Sequence, residues 1–147
     1  IIAGLPSDTP ESFAGTVDKL IELGAENITV HTLSIKRAAR LNHQREEGLL
    51  ENPADKMVGY ATKRLLESGY APYYLYRQKN TIGNLENVGY CKKGKESLYN
   101  IYIMEERQNI LAVGAGASTK FIDPSTGKIT RQFNYKYPYE YINRPRP

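Results

Sequence analysis

Asn27-Ile28-Thr29-Val30-His31-Thr32-Leu33-Ser34 reads as a β-strand, and its setting decides the fold. The stretch is dense in β-branched residues, which suit a pleated surface. Upstream, Thr9 is a good helix N-cap, and Pro10 takes the first helical position, where a missing N–H costs nothing. Phe13, Val17, Leu20 and Ile21 then recur at i, i+4, i+7 and i+8 as one apolar stripe, and Gly24 ends the helix in the left-handed conformation. Before that helix, Ile1-Ile2-Ala3-Gly4-Leu5-Pro6 reads as a buried strand entering a tight turn. Strand, helix, strand at this spacing is a right-handed βαβ unit with parallel strands. An apolar strand needs cover on both sides, so this reading predicts that residues precede Ile1 and that the chain is the later part of something larger.

Working outward, residues 35–52 dissolve into a polar connection containing Lys36, Arg37, Arg40, His43, Glu46 and Glu47. It follows the carboxyl end of a strand, where parallel α/β folds build their ligand sites. A second helix is predicted from Asn52 as cap and Pro53 at the first position, with Met57, Val58, Ala61, Leu65 and Leu66 inward and Gly69 as terminator. Pro72-Tyr73-Tyr74-Leu75-Tyr76 is the next strand, so the order β, α, β, α, β repeats the unit. Residues 77–100 are polar and glycine-rich and read as a long loop. The run from Tyr99 to Gln108 fits a short helix or a strand equally well. Ile110 to Val113 reads as a buried return strand continuing through Gly114-Ala115-Gly116-Ala117-Ser118. Lys120–Ile122 and Lys128–Phe133 form a hairpin about Asp123-Pro124-Ser125-Thr126-Gly127, and a helical turn follows Pro138. The expected architecture is α/β: residues 1–76 as the last βα units of a partial parallel β/α barrel of TIM-like form, and residues 77–147 as an appended α+β cap.

The 147 residues, 40% hydrophobic and 24% charged, suffice for one core. No apolar run approaches the roughly 18 residues a helix needs to cross a bilayer, and no charged-then-apolar leader opens the chain, which predicts a cytoplasmic setting without membrane contact. The lone Cys91 has no internal disulfide partner and cannot by itself hold zinc or an iron–sulfur cluster. Residues 1–30 carry only Lys19 against Asp8, Glu11, Asp18, Glu22 and Glu26, while the whole chain is +4, so the remainder is strongly basic. Such a surface draws in anionic ligands without choosing among them.

Gly114-Ala115-Gly116 exposes backbone and admits a flat ligand or another strand at close range, but lacks the Gly-Lys-Ser/Thr ending of a phosphate loop. Arg37 and Arg40 follow one strand, Arg77 and Lys79 the next, and both loops should open on the same carboxyl edge. Guanidinium forks grip carboxylates, so these four residues are the candidate substrate rim. His31 and His43 have no metal spacing around them, and the neighbouring acids Glu46–Glu47 and Glu105–Glu106 point apart, so no catalytic or metal-binding residue is assigned.

Residues 1–13, Ile-Ile-Ala-Gly-Leu-Pro-Ser-Asp-Thr-Pro-Glu-Ser-Phe, together with Asn84-Leu85-Glu86-Asn87-Val88-Gly89-Tyr90, Val113-Gly114-Ala115-Gly116-Ala117 and Tyr73-Tyr74-Leu75-Tyr76-Arg77-Gln78-Lys79-Asn80, resemble the radical S-adenosylmethionine enzymes related to oxygen-independent coproporphyrinogen III oxidase, the coproporphyrinogen dehydrogenase branch above all. Ser7 replaces the family's usual Gly. The resemblance implies a carboxyl-terminal fragment, inactive alone, of an enzyme of haem biosynthesis that oxidatively decarboxylates two propionates of coproporphyrinogen III to vinyl groups. It implies S-adenosylmethionine and a 4Fe–4S cluster in the parent, the cluster held by a Cys-x-x-x-Cys-x-x-Cys motif absent here. By position it carries over Ser34 and Lys120, with the Gly114-Ala115-Gly116 strand, as main-chain contacts to S-adenosylmethionine. Relatives that have lost the decarboxylase carry haem, which makes His31, His43 or Cys91 alternative axial ligands. A basic RNA-binding module, resting on charge and twelve tyrosines, ranks last. The partners expected are the missing half of the barrel and, through an unpaired sheet edge, a second copy of the chain.

Overall fold

A computed structural model describes residues 1–35, 53–79 and 81–144. Asn52, Arg37, Arg40 and His43 lie outside the described residues. The chain divides into two compact units, residues 1–97 and 98–147. The division falls after Ser97 rather than after Tyr76, because a strand inside the expected loop belongs to the first sheet.

In the first unit, β1 (Ile2–Ala3), β2 (Asn27–Thr32), β3 (Ala71–Tyr76) and β4 (Asn87–Cys91) form one sheet in the order β1-β2-β4-β3. β1 and β2 are parallel, Ile2 opposite His31 and Ala3 opposite Thr32. β4 runs antiparallel to both of its neighbours. The sheet is therefore mixed where an all-parallel one is expected: β2 and β3 point the same way, with β4 between them.

The helix α1 (Pro10–Glu22) starts and stops as its punctuation dictates. The Thr9 hydroxyl accepts from the Ser12 N–H at 3.2 Å, and the Thr9 N–H donates to the Ser12 hydroxyl at 2.9 Å, a reciprocal cap. Gly24 takes φ +72°, and the Ala25 N–H reaches back to the Leu20 carbonyl at 3.1 Å. In α2 (Ala54–Glu67), Met57, Ala61 and Leu65 are buried at helical spacing. Leu66, read as inward, is half exposed because it lies one residue off that stripe. The two helices are tied through Asp18, whose carboxylate accepts from Tyr60 Oη at 2.7 Å and Arg64 Nε at 2.6 Å. Between helices and sheet lies the core of Ala3, Phe13, Val17, Ile28, Val30, Met57, Ala61, Leu65, Tyr70 and Tyr90. The strands give it Ile28, Val30 and Tyr90 from one face, leaving Asn27, Thr29 and His31 on the other.

The second unit contains α3 (Leu98–Glu105), a hairpin of β5 (Ser118–Ile122) and β6 (Ile129–Phe133), and α4 (Pro138–Asn143). The hairpin turns where expected: the Asp123 carboxylate accepts from the Ser125 and Thr126 N–H groups at 2.8 and 3.2 Å. The expected buried strand from Ile110 to Ser118 does not form. Ahead of Ser118, which opens β5, only Ile110 makes a bridge, to Lys120, while Leu111 and Val113 are 76% and 80% exposed. Gly114 and Gly116 take positive φ, and the Asn134 amide donates to the Ala112 and Gly114 carbonyls at 3.3 and 3.0 Å, bending the segment where a ladder would need it straight. No described helix is long and apolar enough to cross a membrane.

Candidate functional site

The sheet face away from the helices is polar and aromatic, and its rows follow from the register. Thr29, Gly89 and Tyr74 form one row, and Tyr76 and Asn87 pair in the next, beyond which lies His31. Gly89 is what allows the first row. A Cβ there would stand 1.9 Å from Tyr74 Cε1, so the ring lies directly across the glycine. Tyr74 reaches over it to the Thr29 hydroxyl at 2.9 Å and stacks on Tyr76, ring centroids 6.3 Å apart and planes 6° from parallel. Tyr76 in turn meets His31, its hydroxyl 3.2 Å from Nδ1.

At the carboxyl end of β2 this face opens into a cavity of about 330 Å³ lined by Ile2, His31, Thr32, Leu33, Ser34, Tyr76 and Gln78. Asn87, fully buried, caps β2 by accepting the Thr32 N–H at 2.7 Å. Its Nδ2 and the buried Thr32 hydroxyl have no hydrogen-bond partner. Both of these atoms are buried, and Asn87 is not part of the cavity's lining. Burial, with the amino-terminal charge second, pushes the His31 imidazole below its ordinary value of 6.5, while a hydrogen bond to the Asn87 amide opposes that shift. That shift favours the neutral ring. Burial raises the Tyr76 phenol, with Tyr74 adding to it.

Ser34 lines the cavity, its hydroxyl donating to the Lys79 carbonyl at 2.9 Å. Arg77 is held in an ion pair with Glu86 at 3.0 Å, and Lys79 is exposed. Gly114, Ala115, Gly116 and Lys120 lie in the second unit. Lys120 pairs with Glu106 at 2.7 Å, and its N–H and carbonyl both bond Ile110 at 2.9 Å. Tyr74, Tyr76, Gln78 and Asn87 escape a reading of the sequence for sites. The alternation Tyr74-Leu75-Tyr76 is a legible signal for two of them, since it matches the parity of Thr29 and His31.

A 4Fe–4S cluster does not fit this chain's own residues. Cys91, the single thiol, is 2% exposed and burial raises its pKa, where a cluster needs several thiolates. Among the described residues no three or more His, Cys, Asp or Glu side chains converge.

No protein-family model matches the chain. It is 46% identical over 146 residues to the oxygen-independent coproporphyrinogen-III oxidase-like protein HemZ of Bacillus subtilis, covering 98% of this chain. The two proteins are homologues. The chain spans 29% of that relative's length. Its fold matches coproporphyrinogen III oxidase HemN from Escherichia coli, described as a radical S-adenosylmethionine enzyme, with a TM-score of 0.56 at 17% identity, over 97% of this chain and 33% of that one. At that identity the match concerns the fold, a mixed α/β arrangement shared with part of HemN.

Proposed function

We propose that this chain is the carboxyl-terminal part of an oxygen-independent coproporphyrinogen III oxidase-like protein, supplying one wall of a partial barrel and an appended cap. The observation that carries the reading is the 46% identity to HemZ along nearly the entire chain. The structural match to part of HemN supports it at the level of fold. In this reading the parent converts two propionates of coproporphyrinogen III to vinyl groups in the cytoplasm, and the cluster is held by residues outside this chain.

The cavity at the end of β2 offers S-adenosylmethionine uncharged lining: the Ser34 main chain, Thr32 and Gln78. When bound and reduced, that cofactor supplies a radical able to take hydrogen from a propionate. The chain's own work is to hold the ligand against a neutral, aromatic wall and to limit water there. Arg37, Arg40, Arg77 and Lys79 serve as the rim that attracts the four propionates, Arg77 only after parting from Glu86. For Lys120 and Gly114, Ala115 and Gly116 of the second unit, the proposed main-chain contact to S-adenosylmethionine in the parent rests on family position alone. The Lys120 N–H and carbonyl are already bonded to Ile110, which leaves a second carbonyl lone pair.

The test is turnover by the full-length parent with reductant, S-adenosylmethionine and coproporphyrinogen III. Release of carbon dioxide with deoxyadenosine supports the oxidase. Tight haem binding without that release replaces it with the carrier, for which His31, His43 or Cys91 is the axial ligand; of these, His31 lines the cavity.

A further inference from the structure

Three side chains from three strands form a connected unit at the cavity. The Asn87 amide beside the His31 ring opposes the lowering of its pKa. That imidazole faces Tyr76, with Nδ1 3.2 Å from the phenol oxygen. The Asn87 oxygen accepts the Thr32 N–H, which holds the amide at this edge of the sheet. An imidazole protonated at Nε2 presents Nδ1 as an acceptor to the Tyr76 hydroxyl, and that is the tautomer the proposed step uses. The logic is that of an oriented base poised on a hydroxyl.

We propose that Tyr76, His31 and Asn87 form a proton-coupled one-electron site, in which the Tyr76 phenol yields an electron to an outer-sphere one-electron oxidant and its proton to Nδ1 of His31. The phenol O–H bond breaks, a neutral tyrosyl radical and an imidazolium form, and the oxidant is reduced by one electron. On the return step the radical accepts one electron, the proton comes back from His31, and both groups are restored. The raised phenol pKa matters here, because phenolate does not form beforehand and the proton has to travel with the electron. Tyr74, stacked on Tyr76, is the next aromatic ring along the face, and Tyr73 follows it edge-on at 4.8 Å.

A use for such a site rests on the function proposed above. Taking one hydrogen atom from a propionate and then losing carbon dioxide leaves a single electron to be removed from each reacting group. A tyrosyl radical lining the cavity accepts that electron without accepting the ligand.

The experiment needs neither porphyrin nor S-adenosylmethionine, so its failure is separate from failure of the oxidase reading. The 147-residue chain is oxidised with photogenerated tris(bipyridine)ruthenium(III) and frozen for high-field electron paramagnetic resonance. The expected result is a tyrosyl signal whose g-tensor shows a hydrogen-bonded oxygen, formed more slowly in heavy water. Tyr60, Tyr74 and Tyr90 also carry hydrogen-bonded hydroxyls, so Tyr76 is read by difference: Tyr76→Phe should remove the component whose hydrogen bond is to a histidine nitrogen, and Tyr74→Phe should leave it. His31→Gln keeps the phenol and removes the base, so oxidation of Tyr76 should slow severalfold and lose its heavy-water effect. Amide NMR spectra establish that each variant is folded, and if Tyr76→Phe is not, the His31→Gln rates decide. An unchanged signal in Tyr76→Phe, or unchanged kinetics in His31→Gln, overturns the proposal.

Discussion

Gly89→Ala tests whether the polar face is built by close approach of a ring to a bare backbone. The added Cβ would lie 1.9, 2.5 and 2.8 Å from Cε1, Cδ1 and Cζ of Tyr74, distances no carbon pair tolerates. Either the ring swings away or the strands part. Swinging away loses the bond to Thr29, about 1 kcal/mol, and the stack on Tyr76, about 0.5–1.5 kcal/mol. Parting the strands costs about 1–3 kcal/mol as overpacking. Against either stands the strand preference of alanine over glycine, about 0.5–1 kcal/mol. The expected net is about 1.5 kcal/mol of destabilisation, roughly tenfold in the folding equilibrium. In a Tyr74→Ala background the obstruction is gone, and the same substitution should stabilise by about 0.5–1 kcal/mol. The coupling between the two sites is then about 2 kcal/mol, read from urea unfolding and from exchange of the β4 amides in all four proteins of the cycle. Equal cost of Gly89→Ala in both backgrounds would refute the reasoning.

Met57 is completely buried, and its sulfur accepts the Gly4 N–H at 3.2 Å, so Met57→Ala should cost about 2–5 kcal/mol by urea titration, with half-exposed Leu66→Ala costing well under half as much. Hydrogen bonds from Tyr60 and then Arg64 hold the Asp18 carboxyl below its ordinary 3.8. Its contribution is present above that value and lost as pH falls through the lower folded value, so Asp18→Asn should lower the unfolding midpoint at neutral pH and have no effect in strong acid. For His31 the folded imidazole is depressed below 6.5, so on acidification the unfolded chain takes the proton first. Stability should decline as pH drops below about 6.5 and level off under the folded value, and His31→Gln should remove that part of the slope in denaturation curves taken between pH ~5 and ~8.

The parts of the fold that were legible in sequence are those fixed by local chemistry. Thr9, Pro10 and Gly24 act on their own backbone or that of near neighbours, and the helix they delimit is where they put it. β4 was hidden because Asn87 and Gly89 are poor strand formers, and what justifies them is far away in sequence: the Thr32 N–H for one, the Tyr74 ring for the other. Ile110–Val113 failed in the opposite sense, being apolar enough for a buried strand while having only Lys120 to pair with. At the site, the parity of Thr29, His31, Tyr74 and Tyr76 could be read from alternation alone. That Arg77 is occupied by Glu86 depends on how the loop between β3 and β4 folds, which residue types do not reveal.

The direction of β4 explains why the cavity has the composition it has. Had the strand between β2 and β3 run parallel to them, its last residue would have joined theirs at the carboxyl edge, and its first would lie at the far end of the sheet. Because β4 runs the other way, its first residue, Asn87, pairs with Tyr76, the last of β3, and reaches the N–H of Thr32, the last of β2. The segment that delivers it is stitched to the same edge: the Ser34 hydroxyl donates to the Lys79 carbonyl, Ser34 bridges Thr81, and the Ile82 N–H donates to the Leu33 carbonyl at 3.1 Å. A hairpin reversal thus places an amide beside an imidazole that would otherwise face only a phenol. The bond from the Thr32 N–H to the Asn87 amide is therefore a consequence of sheet polarity, and any change that slips the register of β4 by one residue should abolish it while leaving both helices in place.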